Sequence, residues 1–149
     1  SRFKSTNGDL RAVTEELIKA PESWSAQRVK MKKPSEWIVA SLRSSGAAMP
    51  DVRRIVQMQN LLGEPLWRPP APKGFSDDAA AWVDGVSERL DIAQQISRLA
   101  PPLQLEADAL VDAALGPLAS NETRQTVRRA ESRQQALALL LMSPEFQRR

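Results

Sequence analysis

The sequence predicts an all-α fold, and three observations favour it. Apolar residues recur at helical spacing, proline and glycine punctuate those segments, and no run alternates between apolar and polar residues as a strand does. A chain of 149 residues with 42% hydrophobic residues is the usual size of one domain and buries roughly 70% of its unfolded surface. We therefore expect residues 1–149 to form one compact domain of about six to eight helices.

The N-terminal third contains two predicted helices. Asp9 is a predicted N-cap, and Leu10, Val13, Leu17 and Ile18 follow at helical spacing until Pro21 ends the helix. Residues 21–24 read as a short turn with proline at its first position, and residues 25–33 read as extended. The next helix opens at Pro34 and ends at Gly46.

Residues 50–82 comprise a predicted helix followed by a proline-rich stretch that cannot be helical. Pro50 and Asp51 open a helix that ends at Gly63, with this predicted apolar face: Val52, Ile55, Val56, Gln59 and Leu62. Four prolines then occur between residues 63 and 76, and each removes a backbone donor and restricts its neighbour. We expect a long ordered connector over residues 63–76, packed on the helices by these side chains: Leu66, Trp67, Phe75 and Trp82.

The C-terminal half reads as helical to its end. Ser76 or Asp77 is expected to cap a short helix that carries Trp82, and residues 86–100 form a longer helix with Leu90, Ala93 and Ile96 on one face. Further helices are predicted over residues 105–115, from Ser120, over residues 136–142 and from Ser143.

The composition excludes several kinds of chemistry. The chain has no Cys, His or Tyr, which removes disulfides, thiolate or imidazole metal sites and every triad that contains His. Catalysis would need carboxylates, Lys, Arg or Ser, so we lean against an enzyme and expect no cofactor. No run approaches the ~18 apolar residues of a membrane span. The compartment stays open.

Charge is distributed unevenly along the chain. Residues 28–54 carry seven basic and two acidic side chains, whereas residues 75–115 carry eight acidic and two basic ones. The two stretches are expected to face each other inside the domain, which disfavours nucleic acid as a partner.

Two groups of side chains are candidate sites. Lys30, Lys32, Lys33 and Arg43, with Trp24 and Trp37 as stacking platforms, form a candidate patch for an acidic polysaccharide or nucleic acid, and Trp67 is a further candidate ligand-binding residue. A solvated basic surface is the interpretation we favour for it. Asp77, Asp78 and Asp84 form a candidate metal or acid–base site. The alternative, which we favour, is that these carboxylates cap the start of the Trp82 helix.

The connector offers two weaker alternatives. Residues 68–72, with the sequence RPPAP, match a minimal proline-rich ligand, and the connector aromatics could form a sugar-binding platform. Internal packing of these residues is favoured in both cases.

Several ordered motifs resemble one protein family. They are GDLRAV at residues 8–13, KMKKPSEWIVASLR at 30–43, GEPLW at 63–67, PKGFSDD at 72–78 and SPEFQ at 143–147. Together they resemble the C-terminal part of the large bacterial family numbered 1800 among the domains of unknown function. The resemblance implies a mostly helical fold in a protein several times longer, often exported, and it implies no activity.

Three functional hypotheses follow. The first is a non-catalytic helical module that completes a larger bacterial protein and contacts its upstream remainder or a partner protein. The second is a binding module for an anionic polymer through the Lys/Arg patch. The third is part of an enzyme whose main site lies upstream.

Overall fold

The computed structural model describes residues 1–24, 30–48, 50–101 and 106–149, and it confirms the all-α class. These residues form nine α-helices: α1 (Arg2–Ser5), α2 (Leu10–Lys19), α3 (Pro34–Ser45), α4 (Val52–Leu61), α5 (Val86–Leu99), α6 (Ala107–Ala114), α7 (Asn121–Arg128), α8 (Arg133–Met142) and α9 (Pro144–Gln147). Short 3₁₀ turns span Pro21–Trp24, Ala79–Trp82 and Gly116–Leu118.

Helix starts follow local capping chemistry. Five side chains accept hydrogen bonds from backbone N–H groups in the first turns of their helices: Asp9 (α2), Asp51 (α4), Ser120 (α7), Ser132 (α8) and Ser143 (α9). α3 has Pro34 at its first position and ends at Gly46, whose φ of 62° is left-handed. The starts predicted from Asp9, Pro34, Asp51, Ser120 and Ser143 are therefore confirmed.

The core lies where α5 and α8 pack against each other, with α3, α6 and α7 around them. Trp37 of α3 is fully buried in it, and its indole N–H donates to the Leu141 carbonyl at 3.1 Å. This bond joins α3 to α8 and satisfies the polar edge of a buried ring.

The predicted apolar faces are confirmed in part. At α4, Leu62 is buried as predicted and Ile55 and Val56 are half-buried, whereas Val52 is exposed. On α5, Ala93 and Ile96 are buried as predicted and Arg89 lies beside them, whereas Leu90 is partly in solvent. A pattern of apolar residues cannot predict the burial of Arg89, because its side chain is charged.

Other boundaries differ in detail. The predicted helix before Trp82 is a 3₁₀ turn that starts at Ala79, and Ser76 accepts the Asp78 N–H at 3.1 Å just before it. Residues 30–33 are extended, as predicted: Met31 forms an antiparallel bridge with Arg148, and the Lys32 N–H donates to the Gln147 carbonyl at 2.7 Å. The predictions for residues 25–29 and 102–105 lie outside the described residues. Within the described ranges, no helix combines the length and the apolar character that crossing a membrane requires.

We predict that Trp37→Phe lowers the free energy of unfolding by about 1 kcal/mol or more, because a buried hydrogen bond to Leu141 and part of a fully buried ring are lost. Trp24→Phe is the matched control, since the Trp24 indole also donates to a backbone carbonyl, that of Ile18, but at an exposed site. There we expect a change below about 0.5 kcal/mol. Urea unfolding followed by circular dichroism measures both, and equal losses would contradict the role of burial.

Candidate functional site

The connector starts on the N-terminus of α3. The Glu64 carboxylate accepts the backbone N–H of Ser35 at 2.6 Å and the Ser35 hydroxyl at 3.1 Å. An acid at this place satisfies an N–H group that has no partner within its own helix and faces the positive end of the helix dipole. Glu64 therefore anchors the first end of the connector.

Its second end is held by an ionic cluster. Asp77 pairs with Lys30 at 2.7 Å, with Lys33 at 3.3 Å and with Arg149 at 3.0 Å. Arg149 also pairs with Glu36 at 3.1 Å. Hydrogen bonds from Lys30 and Lys33 lower the pKa of Asp77 to about 2. Both ends of the connector are thus attached to residues 30–36, and we call residues 64–77 the Trp67 loop.

Trp67 lies in a strained turn between these anchors. The Arg68 N–H donates to the Pro65 carbonyl at 3.2 Å, so Trp67 is the third residue of a β-turn, and its φ is 60°. Positive φ at this position is usually taken by glycine or asparagine, and a bulky side chain adopts it at a cost. The Trp67 side chain is 89% exposed. The turn therefore holds an indole ring in solvent.

The expectation that Trp67 and Leu66 pack onto the helices is wrong. Residues 66–70 are all exposed, because the turn directs them away from the core. Trp82 is buried as predicted, and its indole N–H donates to the Ser76 carbonyl at 3.1 Å. Phe75 is half-buried against Trp82, with ring centroids 6.2 Å apart. The apolar anchoring is thus confined to the end of the loop.

A buried arginine lies beneath the anchors. Arg89 is 1% exposed; its guanidinium donates to the Gln147 side chain and to the Lys32 carbonyl and lies over the Trp37 ring, 5.3 Å from the centroid. Burial lowers the pKa of Arg89 to about 10, opposed by the charge of Glu64. Among the described residues its Nε has no hydrogen-bond partner. Arg89 joins α5, residues 30–36 and the C-terminal residues.

The predicted basic patch is only partly brought together. Lys30 and Lys33 meet at Asp77, as the opposite charges of the two stretches led us to expect. Lys32 turns to Phe146, donating to its carbonyl and lying 4.5 Å from its ring centroid. Arg43 is exposed in the last turn of α3, roughly 15 Å along the helix from Lys33.

The three aspartates have separate surroundings. Asp77 faces cations, whereas Asp78 and Asp84 are exposed. Across the described ranges, no group of three or more acidic side chains is placed to hold a metal ion.

A second unusual surface belongs to α2. None of its residues is buried, and Leu10, Leu17 and Ile18 are 70%, 65% and 55% exposed. With the partly buried Val13 they form one apolar stripe, here called the α2 stripe. Trp24 follows in the adjoining 3₁₀ turn and is 72% exposed. The spacing of the apolar residues predicts the stripe, but it does not predict that the stripe is exposed to solvent.

Further grooves occur in the described part of the chain, and one of about 250 Å³ beside α6 and the start of α8 is lined by charged side chains that include Glu106, Arg128 and Glu131. One of about 330 Å³ lies between α5 and α8 and is lined by leucine, methionine, glutamine and serine side chains with Arg98 at one edge. Another of about 250 Å³ lies between α7 and α8, with Glu122 as its acidic group. In this last groove the Thr123 hydroxyl donates to the Glu145 carboxylate at 2.7 Å, a contact that joins α7 to α9.

The comparisons with known proteins give one finding. The family model described as "Protein of unknown function (DUF1800)" matches residues 1–148. No curated protein and no solved structure matches the chain.

We predict that Asp77→Asn destabilises the fold at neutral pH, because the cluster loses the charge that its cations surround. A carboxyl whose pKa is lowered on folding stabilises the folded state above its usual pKa of 3.8. The difference in unfolding free energy between wild type and variant should therefore shrink as the pH falls from 3.8 towards about 2. Urea titrations across this range measure it.

Asp84→Asn is the control, since it removes an exposed carboxylate for which the described residues show no ion pair. At neutral pH it should change the free energy of unfolding by less than about 0.5 kcal/mol. A pH-independent loss in Asp77→Asn would show that the carboxylate acts by something other than its charge.

We predict a large loss of stability when Trp82 is replaced and a small one when Trp67 is replaced. Trp82→Ala should cost about 3 kcal/mol or more, because a buried ring leaves a cavity. Trp67→Ala should cost less than about 0.5 kcal/mol, because its ring is in solvent and its turn is strained. Thermal unfolding compares them, and a large loss in Trp67→Ala would contradict the exposed turn.

Proposed function

The chain belongs to the DUF1800 family of proteins of unknown function, and on that premise we propose that it is a helical interaction module. In this proposal the α2 stripe docks against another protein surface, in the upstream remainder of the same protein or in a partner protein. The observation that carries the proposal is a ten-residue amphipathic helix with no buried residue.

The stripe is suited to a helix-in-groove contact. Leu10, Val13 and Leu17 follow the spacing of three and four residues that anchors a helix in an apolar groove. α2 is also well formed: Asp9 caps its start and Arg11 pairs with Glu15 at 3.2 Å along its polar side. A partner would therefore meet a helix that is already ordered, which lowers the entropic cost of binding.

Charge favours a protein surface over a lipid surface for this helix. Residues 1–24 carry four basic side chains (Arg2, Lys4, Arg11 and Lys19) and four acidic ones (Asp9, Glu15, Glu16 and Glu22). Helices that lie on membranes are rich in Lys and Arg on their polar face. A balanced polar rim around an apolar centre is instead the composition of a protein interface.

The exposed apolar area of the α2 stripe is large enough to stabilise a protein–protein contact. Complete burial of a leucine or isoleucine side chain contributes roughly 1.5–3 kcal/mol, and three such side chains here are more than half exposed. Trp24, at the end of the 3₁₀ turn that follows α2, adds an aromatic ring of the type that dominates interface energies.

We expect a cysteine at position 17 to be protected in the complete gene product. The chain has no native Cys, so Leu17→Cys introduces a unique thiol here, with any cysteines outside residues 1–149 replaced by serine. Maleimide labelling should be at least about tenfold slower than at a control Glu131→Cys, which is exposed between α7 and α8.

The comparison also separates the two kinds of partner. Protection that persists after purification places the docking surface in the same polypeptide. Protection seen in cells and lost on purification indicates a separate protein. Labelling at position 17 as fast as at position 131 in both settings would refute the proposal.

A further inference from the structure

We propose that the Trp67 loop is a contact site for an anionic bilayer surface, with Trp67 and Leu66 entering the interface and nearby cations facing the lipid phosphates. This proposal does not depend on docking of the α2 stripe. It begins from the turn that keeps a tryptophan in solvent at a backbone conformation that favours glycine.

The tip of the loop is apolar and conformationally restricted. Leu66 and Trp67 are adjacent and exposed, and four prolines occur between residues 65 and 72. Both ends are fixed, by Glu64 on Ser35 and by Asp77 in its ionic cluster. The loop is therefore already ordered before its apolar tip makes contact, and binding costs little conformational entropy.

Cations surround the base of this tip. Arg68 and Lys73 are exposed within the loop, and Lys30, Lys33 and Arg149 converge on its second end. With Arg148, which bridges Met31, and without Lys32, which turns to Phe146, six cations lie in the loop or at its anchors, against four carboxylates: Glu36, Glu64, Asp77 and Asp78. An apolar tip above a net positive base matches the order of layers at an anionic bilayer, where tryptophan favours the interface and basic residues the phosphates.

The side chains of the loop favour lipid over a sugar or a nucleic acid base. Residues 65–72 contain no side-chain amide, hydroxyl or carboxylate. Recognition of a saccharide or a base needs such groups for directional hydrogen bonds beside the aromatic ring. A bilayer interface requires apolar area and positive charge, and the loop supplies both.

The test is co-sedimentation of the complete gene product with vesicles of phosphatidylcholine containing about one quarter phosphatidylglycerol, at about 0.05 and 0.5 M NaCl. We expect binding that weakens in high salt and on pure phosphatidylcholine. Lys73→Glu should weaken partitioning at least about fivefold, which corresponds to the contribution of one basic residue near an anionic surface. Arg43→Glu, with the same charge change far along α3, should weaken it less.

Trp67→Ala should reduce binding at least as much as Lys73→Glu, while Val52→Ala, which truncates an exposed apolar side chain at the start of α4, leaves it unchanged. Neither side chain is buried, so both variants should keep the wild-type circular dichroism spectrum. Absence of vesicle binding in the wild type, or equal effects of the two substitutions, would overturn the proposal. So would Trp67-dependent binding of single-stranded oligothymidylate without vesicle binding.

Discussion

The attachment of residues 30–36 to three distant parts of the chain is the constraint on which this structure depends. Glu64 binds at Ser35, Asp77 binds Lys30 and Lys33, and Arg89 reaches the Lys32 carbonyl from α5. These contacts are polar, and their directionality fixes where each chain segment lies. The apolar core formed by α5 and α8 supplies burial, whereas the charged contacts determine how the non-helical segments cross it.

The constraint explains why one tryptophan of the connector is buried and the other is not. A connector held by its aromatic rings would need Trp67 in the core. Because Glu64 and Asp77 already hold the two ends, the middle of the loop is free to turn outward, and the turn at residues 65–68 does so at the cost of a positive φ at Trp67. Only the last part, where Phe75 meets Trp82, is anchored by apolar contact.

Sequence reasoning succeeded where the cause is local. Caps such as Asp9, Asp51 and Ser120 act within three residues, so their effect can be read from neighbouring residues. It failed at Arg89 and at Trp67, where distant partners or a turn decide the outcome. The pairing of Asp77 with Lys30 and Lys33 was predicted in part. The opposite charges of residues 28–54 and 75–115 predicted a contact between the two stretches, but the spacing of the residues could not show that Asp77 makes it.

The two exposed surfaces differ in charge, and this difference separates their partners. The α2 stripe is bordered by equal numbers of acidic and basic residues, so no long-range field draws it towards a polyanion, and complementary apolar shape must select what it meets. The Trp67 loop has two acids: Glu64 binds Ser35, and Asp77 is paired with the cations Lys30, Lys33 and Arg149. Its remaining charges are Arg68 and Lys73 beside an indole ring, and an anionic surface suits them better than a neutral one. If both surfaces stayed in water, the apolar side chains of each would contribute no burial energy. This is the physical reason to expect a binding partner for each surface.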